Sequence, residues 1–282
     1  MRHGKRVING TRCLLDFRNP EVRAYLDEVI ARLVNEYGVG YIKTDYNLDS
    51  LQGTELNADS FGRGLLEHNR AVLAWLESIL KRYHGLTIEN CGSGGVRMDY
   101  AMLSRLQLQS ATDQENYLRL PAIITGCSAA VLPEQLACWS YPLVNADADQ
   151  ASFNIVTAML CRIHQSGRLD QISGTAAGQV SRGIKIYKEA IRKNIPVSAP
   201  FYPLGMPDVT DREAPVALGM RAPGWTAVAV WRLEGSEKVE LPMDAANARV
   251  LYPADLGITI EAVNRKLIIG FPRPRMGCIV SV

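Results

Sequence analysis

No stretch of this sequence approaches the roughly 18 consecutive apolar residues that a membrane-spanning helix needs. The opening MRHGKRVING is basic but is followed by no apolar core, so a secretory leader is not expected. An excess of one charge is also missing. Thirty-one Lys and Arg against 29 Asp and Glu leave +2, which recommends neither nucleic acid nor a membrane surface as partner. The six cysteines contain no CxxC pair, which removes zinc ribbons and thioredoxin-like motifs. A reduced, cytoplasmic chain is the simpler expectation. The four histidines form neither HxH nor HExxH, so no catalytic metal is expected. TRCLLDFRNP lacks a GxGxxG phosphate loop, and neither a dinucleotide nor any other cofactor is expected.

What remains is an ordinary globular composition: 47% apolar and 21% charged residues, with 23 Gly and 14 Pro. Up to Pro196 the chain repeats one pattern, a short apolar run, a polar turn and an amphipathic helix. Strands are expected at 11–17, 41–45, 86–89, 106–110, 128–132 and 162–165. Asn19-Pro20-Glu21 is a helix start, with an N-cap, a first-turn proline and an acid at the positive end. Val22, Tyr25, Leu26, Val29, Ile30 and Leu33 then recur at helical spacing. Further helices are expected near 63–83, 97–105 and 178–193.

Repeated βα units predict an α/β fold with a parallel sheet. Six units over 196 residues take about 33 each, whereas a complete (β/α)8 TIM-type barrel takes around 250 residues. Residues 197–222 are rich in Pro and Gly and read as a linking loop, and short strands without helices follow. The expected organisation is a partial (β/α)8 barrel over 1–196 and a small antiparallel β-sandwich, with its loop, over 197–282.

In a barrel, catalytic groups stand at the C-terminal ends of strands. Those ends offer Asp16, Lys43, Asp45, Glu89, Cys91, Asp113 and Glu115, and of these Asp45 and Asp113 stand on strands two apart, placed to bracket one small substrate. A pair of carboxylates flanking a bond is what glycoside hydrolysis requires. Lys43 shares a side of its strand with Asp45 and would lower that carboxyl's pKa. The plainer reading stands beside this one. A lone Asp at a strand end commonly caps the next helix, and NCGSGG serves equally as a turn. Asp147 and Asp149 read as helix-capping acids, Trp139 as either a sugar platform or a core residue, and Trp225 and Trp231 as core.

IKTDYN (42–47), ENCGSGGVRMDYAML (89–103), SATDQENY (110–117) and AAVLPEQLACWSYP (129–142) together resemble glycoside hydrolase family 36, the bacterial-type α-galactosidases. The block from Cys91 to Asp99 is the most specific piece. The resemblance implies a retaining mechanism on an oligosaccharide substrate. Asp45 matches the nucleophile and Asp113 the acid/base, with their carboxyls about 5–5.5 Å apart in a retaining enzyme. Lys43, Asn47, Cys91 and Gly94 match residues that contact the sugar, as does Arg12 upstream. Thr112-Asp113-Gln114-Glu115-Asn116 departs from the family's Ser-Asp-x-Thr-Asp, and Thr44 stands where Trp is frequent. The resemblance also implies that an N-terminal β-sandwich and the first two barrel strands precede this sequence in the family, and it leaves room for a homo-oligomer. The alternatives are an α-N-acetylgalactosaminidase, a raffinose-type transglycosylase, or a non-catalytic fragment.

Overall fold

The computed structural model describes residues 1–47 and 53–282. These divide into two compact units, Met1–Ser110 and Ala111–Val282.

The first unit opens with a small antiparallel hairpin, β1 (Ile8–Asn9) and β2 (Arg12–Cys13), turned by Gly10 at φ +60°. The strand expected over 11–17 therefore shrinks to two residues and belongs to no parallel sheet. A distant partner is the reason: the Phe17 amide donates to His68 Nδ1 (3.2 Å) instead of to a ladder. Helix α1 (Pro20–Ala31) begins as the sequence dictates, with Asn19 Oδ1 accepting from the Glu21 amide at 2.9 Å. Tyr25 is exposed, so only part of the expected apolar face is covered.

Three parallel strands follow in the order β3 (Tyr41–Asp45), β4 (Thr87–Cys91) and β5 (Leu108–Ser110). Helix α2 (Phe61–Arg82), capped by Ser60, connects the first two, and the single turn α3 (Tyr100–Leu103) connects the second pair. Helix was expected from 97, but the Asp99 carboxylate accepts from the Met102 amide at 2.9 Å and starts the turn there. Ile30, Leu76, Ile79, Leu86, Ile88, Met102 and Leu106 form the core behind β4. Burying one such side chain contributes about 1.5–3 kcal/mol relative to leaving it exposed.

In the second unit come α4 (Leu120–Cys127), β6 (Leu136–Ser140), α5 (Ala148–Met159), β7 (Arg162–Gln165) and α6 (Gly174–Ile186). Strands β6 and β7 pair in parallel. The strand expected at 128–132 is instead the wound-down end of α4. Ser128 Oγ donates back to the Thr125 carbonyl (2.7 Å), and the Val131 amide to the Cys127 carbonyl (3.0 Å). Asp147 caps α5 by accepting from the Gln150 amide at 2.8 Å, while Asp149 pairs with Arg273 at 2.6 Å. Residues 151–159 of α5 are all buried. The polar members bond within the helix: Ser152 to the Ala148 carbonyl, Asn154 to Gln150, Thr157 to Phe153.

From Ala199 onward every pairing is antiparallel. One sheet has the order β12 (Arg249–Tyr252), β15 (Met276–Ser281), β10 (Trp225–Arg232), β9 (Val216–Ala222), β8 (Ala199–Phe201). The other is β11 (Lys238–Leu241), β14 (Lys266–Gly270), β13 (Thr259–Val263). Val228, Val230, Leu241, Leu267, Ile269 and Cys278, drawn from both sheets, share one buried cluster. The expected linking loop thus contains two strands. Its prolines hid them, although Pro200 sits on edge strand β8 and β9 has none. Trp231 is fully buried, as expected of a core residue.

No helix among the described residues is long and apolar enough to cross a membrane.

Candidate active site

The pairing of β3 with β4 sets up the site. The ladder puts Lys43 opposite Glu89, Thr44 opposite Asn90 and Asp45 opposite Cys91. The period of two sends Tyr41, Lys43 and Asp45 to one side of β3. Across from them Glu89 is 1% exposed, a carboxylate that must be compensated where it lies. Lys43 Nζ stands 3.3 Å from its Oε1, and the Tyr41 hydroxyl donates to its Oε2. Lys43 Nζ also reaches Ser110 Oγ at 3.5 Å.

Asp45 ends β3. Asn47 Nδ2 donates to its Oδ2 at 2.8 Å, and Asn47 Oδ1 in turn accepts from the Ser93 amide at 2.6 Å. Burial pushes the Asp45 carboxyl up, but it is outweighed by hydrogen bonds from Asn47, the Cys91 thiol and the Ser93 amide, and by the Lys43 charge. Its pKa therefore lies below the ordinary aspartate value, and the group is ionised at neutral pH. Desolvation, then the adjoining Asp45, drives the Cys91 thiol the opposite way, above its ordinary value. Cys91 is thus a neutral donor beside an anion.

The turn after β4 supplies the remaining contacts. Ser93 (φ +43°) and Gly94 (φ +75°) are both left-handed, and the Gly92 amide donates to the Gly94 carbonyl at 3.1 Å. Only a glycine holds the Gly94 conformation without strain. A Cβ on Gly92 would lie 3.0 Å from the Tyr46 carbonyl oxygen, so the turn packs closely against the end of β3.

The sequence-predicted residues Lys43, Asp45, Asn47, Cys91 and Gly94 therefore meet at adjoining strand ends in the first unit. Arg12 has a different setting: exposed on β2, it lines a cavity of about 330 Å³ with Asp16, Leu65 and His68. Asp113 lies in the second unit, exposed in the segment after Ala111. There Thr112, Gln114 and Asn116 side chains each accept from a backbone amide two residues onward. Trp139, half-buried on β6, stacks on Tyr141 with centroids 6.0 Å apart and planes at 22°.

Sequence reasoning named Glu89 as a strand-end acid without giving it a role, and passed over Tyr41, Tyr46, His68 and Arg97. For Glu89 and Tyr41 the signal was present, because strand parity carries both to the face of Lys43. His68 gave none, since its partners lie 51 and 22 residues away. Among the described residues no cluster of His, Cys, Asp and Glu is arranged to hold a metal ion.

The Melibiase family model matches residues 2–189. An α-galactosidase of Escherichia coli is 29% identical over 122 residues, which is 43% of this chain and 16% of that protein. Among solved structures, the galactosidase domain of the α-galactosidase–sucrose kinase AgaSK superposes with a TM-score of 0.78 at 19% identity, covering 99% of this chain and 39% of its own. A variant of the GH36 α-galactosidase AgaA from Geobacillus stearothermophilus, in complex with raffinose, gives 0.79 at 15% identity, covering 100% and 40%. The chain thus spans about two fifths of the length of these solved relatives. With the motifs at the ends of β3 and β4 inside the matched region, this chain belongs to the Melibiase family.

Proposed function

We propose that this chain carries the catalytic strands of a retaining glycoside hydrolase that releases terminal α-galactosyl residues from oligosaccharides. The observation that carries the reading is the Asp45 carboxylate at the end of β3, opposite Cys91 and on the face of Lys43, where it accepts from Asn47 Nδ2 at 2.8 Å and its pKa lies below the ordinary aspartate value. An attacking carboxylate has to be ionised.

In this mechanism Asp45 attacks the anomeric carbon while Asp113 protonates the departing glycosidic oxygen, giving a glycosyl-enzyme. Water deprotonated by the same Asp113 then releases the sugar with its configuration retained. Lys43, Asn47, Cys91 and Gly94 hold sugar hydroxyls, with Arg12 as a further contact. Cys91 with Gly94 suits a 2-hydroxyl better than a bulky acetamide, so a galactoside is the substrate we assign. The architecture we assign is a (β/α)8-type arrangement over 1–196 followed by a β-sandwich, supported by the parallel pairings among β3, β4 and β5 and between β6 and β7, and by the antiparallel sheets after Pro196. A cytoplasmic location suits six free cysteines.

The test is hydrolysis of 4-nitrophenyl α-galactoside and of the matching N-acetylgalactosaminide by the wild type and Asp45→Ala. The galactoside is expected to be the better substrate. Asp45→Ala should abolish turnover, and azide should restore part of it with a β-galactosyl azide as product. An Asp45→Ala protein that keeps most of its activity would sink the assignment.

A further inference from the structure

Every polar group of Tyr46, the residue after Asp45, is tied down. Its amide donates to the Cys91 carbonyl at 2.9 Å, extending the β3–β4 ladder one residue past Asp45. Its carbonyl accepts from Arg97 Nε at 3.2 Å. The Arg97 guanidinium also lies over the ring, 3.4 Å from its centroid, a cation–π contact on a half-desolvated face. Its hydroxyl meets His68 Nε2 at 2.9 Å.

The protonation pattern of His68 follows from its other nitrogen. Nδ1 accepts from the Phe17 amide at 3.2 Å, so it carries no proton, and in the neutral ring the proton sits on Nε2. His68 is thus a donor to the Tyr46 hydroxyl. Its ring is 2% exposed and wedged edge-on against Phe17, with centroids 5.8 Å apart, so it has one orientation available. The charged groups facing it are Asp16, 3.8 Å from Nδ1, together with Arg18 and Arg97.

We infer that His68 and Arg97 are positioning residues that aim the Asp45 carboxylate by clamping Tyr46 from its hydroxyl, its ring face and its carbonyl. The clamp bears on Asp45 from both sides. Fixing the peptide before Tyr46 sets the direction in which the Asp45 side chain leaves the strand. Fixing the peptide after it places Asn47, whose side chain bridges Asp45 and the Ser93 amide. Arg97 and Ser93 belong to the same glycine-rich turn, so that turn holds residues 45–47 at two points. The contacts of His68 and Arg97 described above are with Tyr46, and through it both act on the carboxylate.

The inference rests on Asp45 being the attacking carboxylate, so its test carries one readout that needs no turnover. Three variants of the full chain are compared with the wild type: Tyr46→Phe, which deletes only the hydroxyl, His68→Leu, and His68→Gln, whose amide can both donate and accept. The ¹³C-carboxyl titration of Asp45, the ¹⁵N shifts of the His68 ring, the melting temperature and the kcat and KM for 4-nitrophenyl α-galactoside are measured for each.

In the wild type the His68 proton is expected on Nε2. In Tyr46→Phe and His68→Leu the Asp45 titration should move up toward the ordinary aspartate value. Their kcat should fall about ten- to a hundredfold with KM nearly unchanged. His68→Gln should recover most of both. A His68 proton on Nδ1, or an Asp45 titration unmoved in Tyr46→Phe, would overturn the clamp. If the wild type hydrolyses no α-galactoside while the Asp45 titration still responds, the clamp stands and the proposed reaction falls. If His68→Leu does not fold, Tyr46→Phe decides.

Discussion

Lys43 Nζ lies 3.3 Å from Oε1 of Glu89, and the two residues stand directly opposite each other on the paired strands β3 and β4. The pair is lopsided. Glu89 is almost completely enclosed, whereas about a third of the lysine side chain remains accessible. The lysine is therefore compensating a charge that water cannot reach. Replacing Glu89 by Ala would leave the Lys43 ammonium beside a void and the Tyr41 hydroxyl without its acceptor. We expect a loss of about 3 kcal/mol in urea denaturation, toward the lower end for a broken buried pair because the lysine is partly solvated. Glu89→Gln, which can still accept from Tyr41, should cost visibly less. Equal losses for the two variants would mean that packing, not charge, holds this position.

A second expectation concerns acid. His68 is pushed below its ordinary pKa, chiefly by burial and also by Arg97 and Arg18, while Asp16 pulls the other way. A histidine depressed in the folded state binds fewer protons folded than unfolded, so stability falls as pH drops through the unfolded value of about 6.5. Asp16 is also depressed. Its burial acts upward, but the hydrogen bonds and charge of Arg18 prevail. Its contribution is present above its unfolded value of about 3.9 and fades below it. The melting temperature should therefore decline in two stages on acidification. His68→Gln should erase the upper stage and leave the lower one. A wild-type profile flat between about pH 7 and 5 would contradict this.

Thiol chemistry gives a third. Cys13 is exposed on the β2 hairpin, whereas Cys91, Cys138, Cys161 and Cys278 are buried. Desolvation and the neighbouring Asp45 raise the Cys91 thiol further. Iodoacetamide at neutral pH should modify Cys13 first and spare Cys91 in the folded protein, as read by peptide mass spectrometry. Asp45→Asn removes the adjoining negative charge and should speed the labelling of Cys91. No change in rate would show that access alone protects it.

The parts of the fold that were legible in the sequence are those whose signals are local. Asn19-Pro20-Glu21 predicts a helix start because the cap and the proline act within one turn, and α1 begins there. TyrIleLysThrAsp at 41–45 and ArgIleHisGln at 162–165 become strands with the expected bounds. The failures come where a distant partner decides. Leu14 and Leu15 look strand-like, but no neighbouring strand receives them, and His68 takes the amide that a ladder would have used. Ser128–Leu132 has strand-forming residues, yet the preceding helix reclaims its amides. Strand β9 was hidden by the prolines around it, though its own residues are nearly all buried.

The site divides along the same line. Lys43, Asp45 and Cys91 were readable because strand parity and a compact motif place them. The role of His68 depends on which residues meet across 22 and 51 positions, and nothing in a single sequence announces that.

The ladder between β3 and β4 also determines which changes of chain length this region tolerates. Lys43 meets Glu89 and Asp45 meets Cys91 only because both strands count residues in step. Dropping one residue from 41–45 would turn every following side chain to the opposite face, sending the carboxylate away from its donors and Tyr46 into its place. Point substitutions are graded injuries here; a one-residue deletion exchanges the two faces. Library designs or grafts at this site should therefore vary side chains within 41–45 and 87–91 at fixed length, and confine insertions to segments beyond the strand ends.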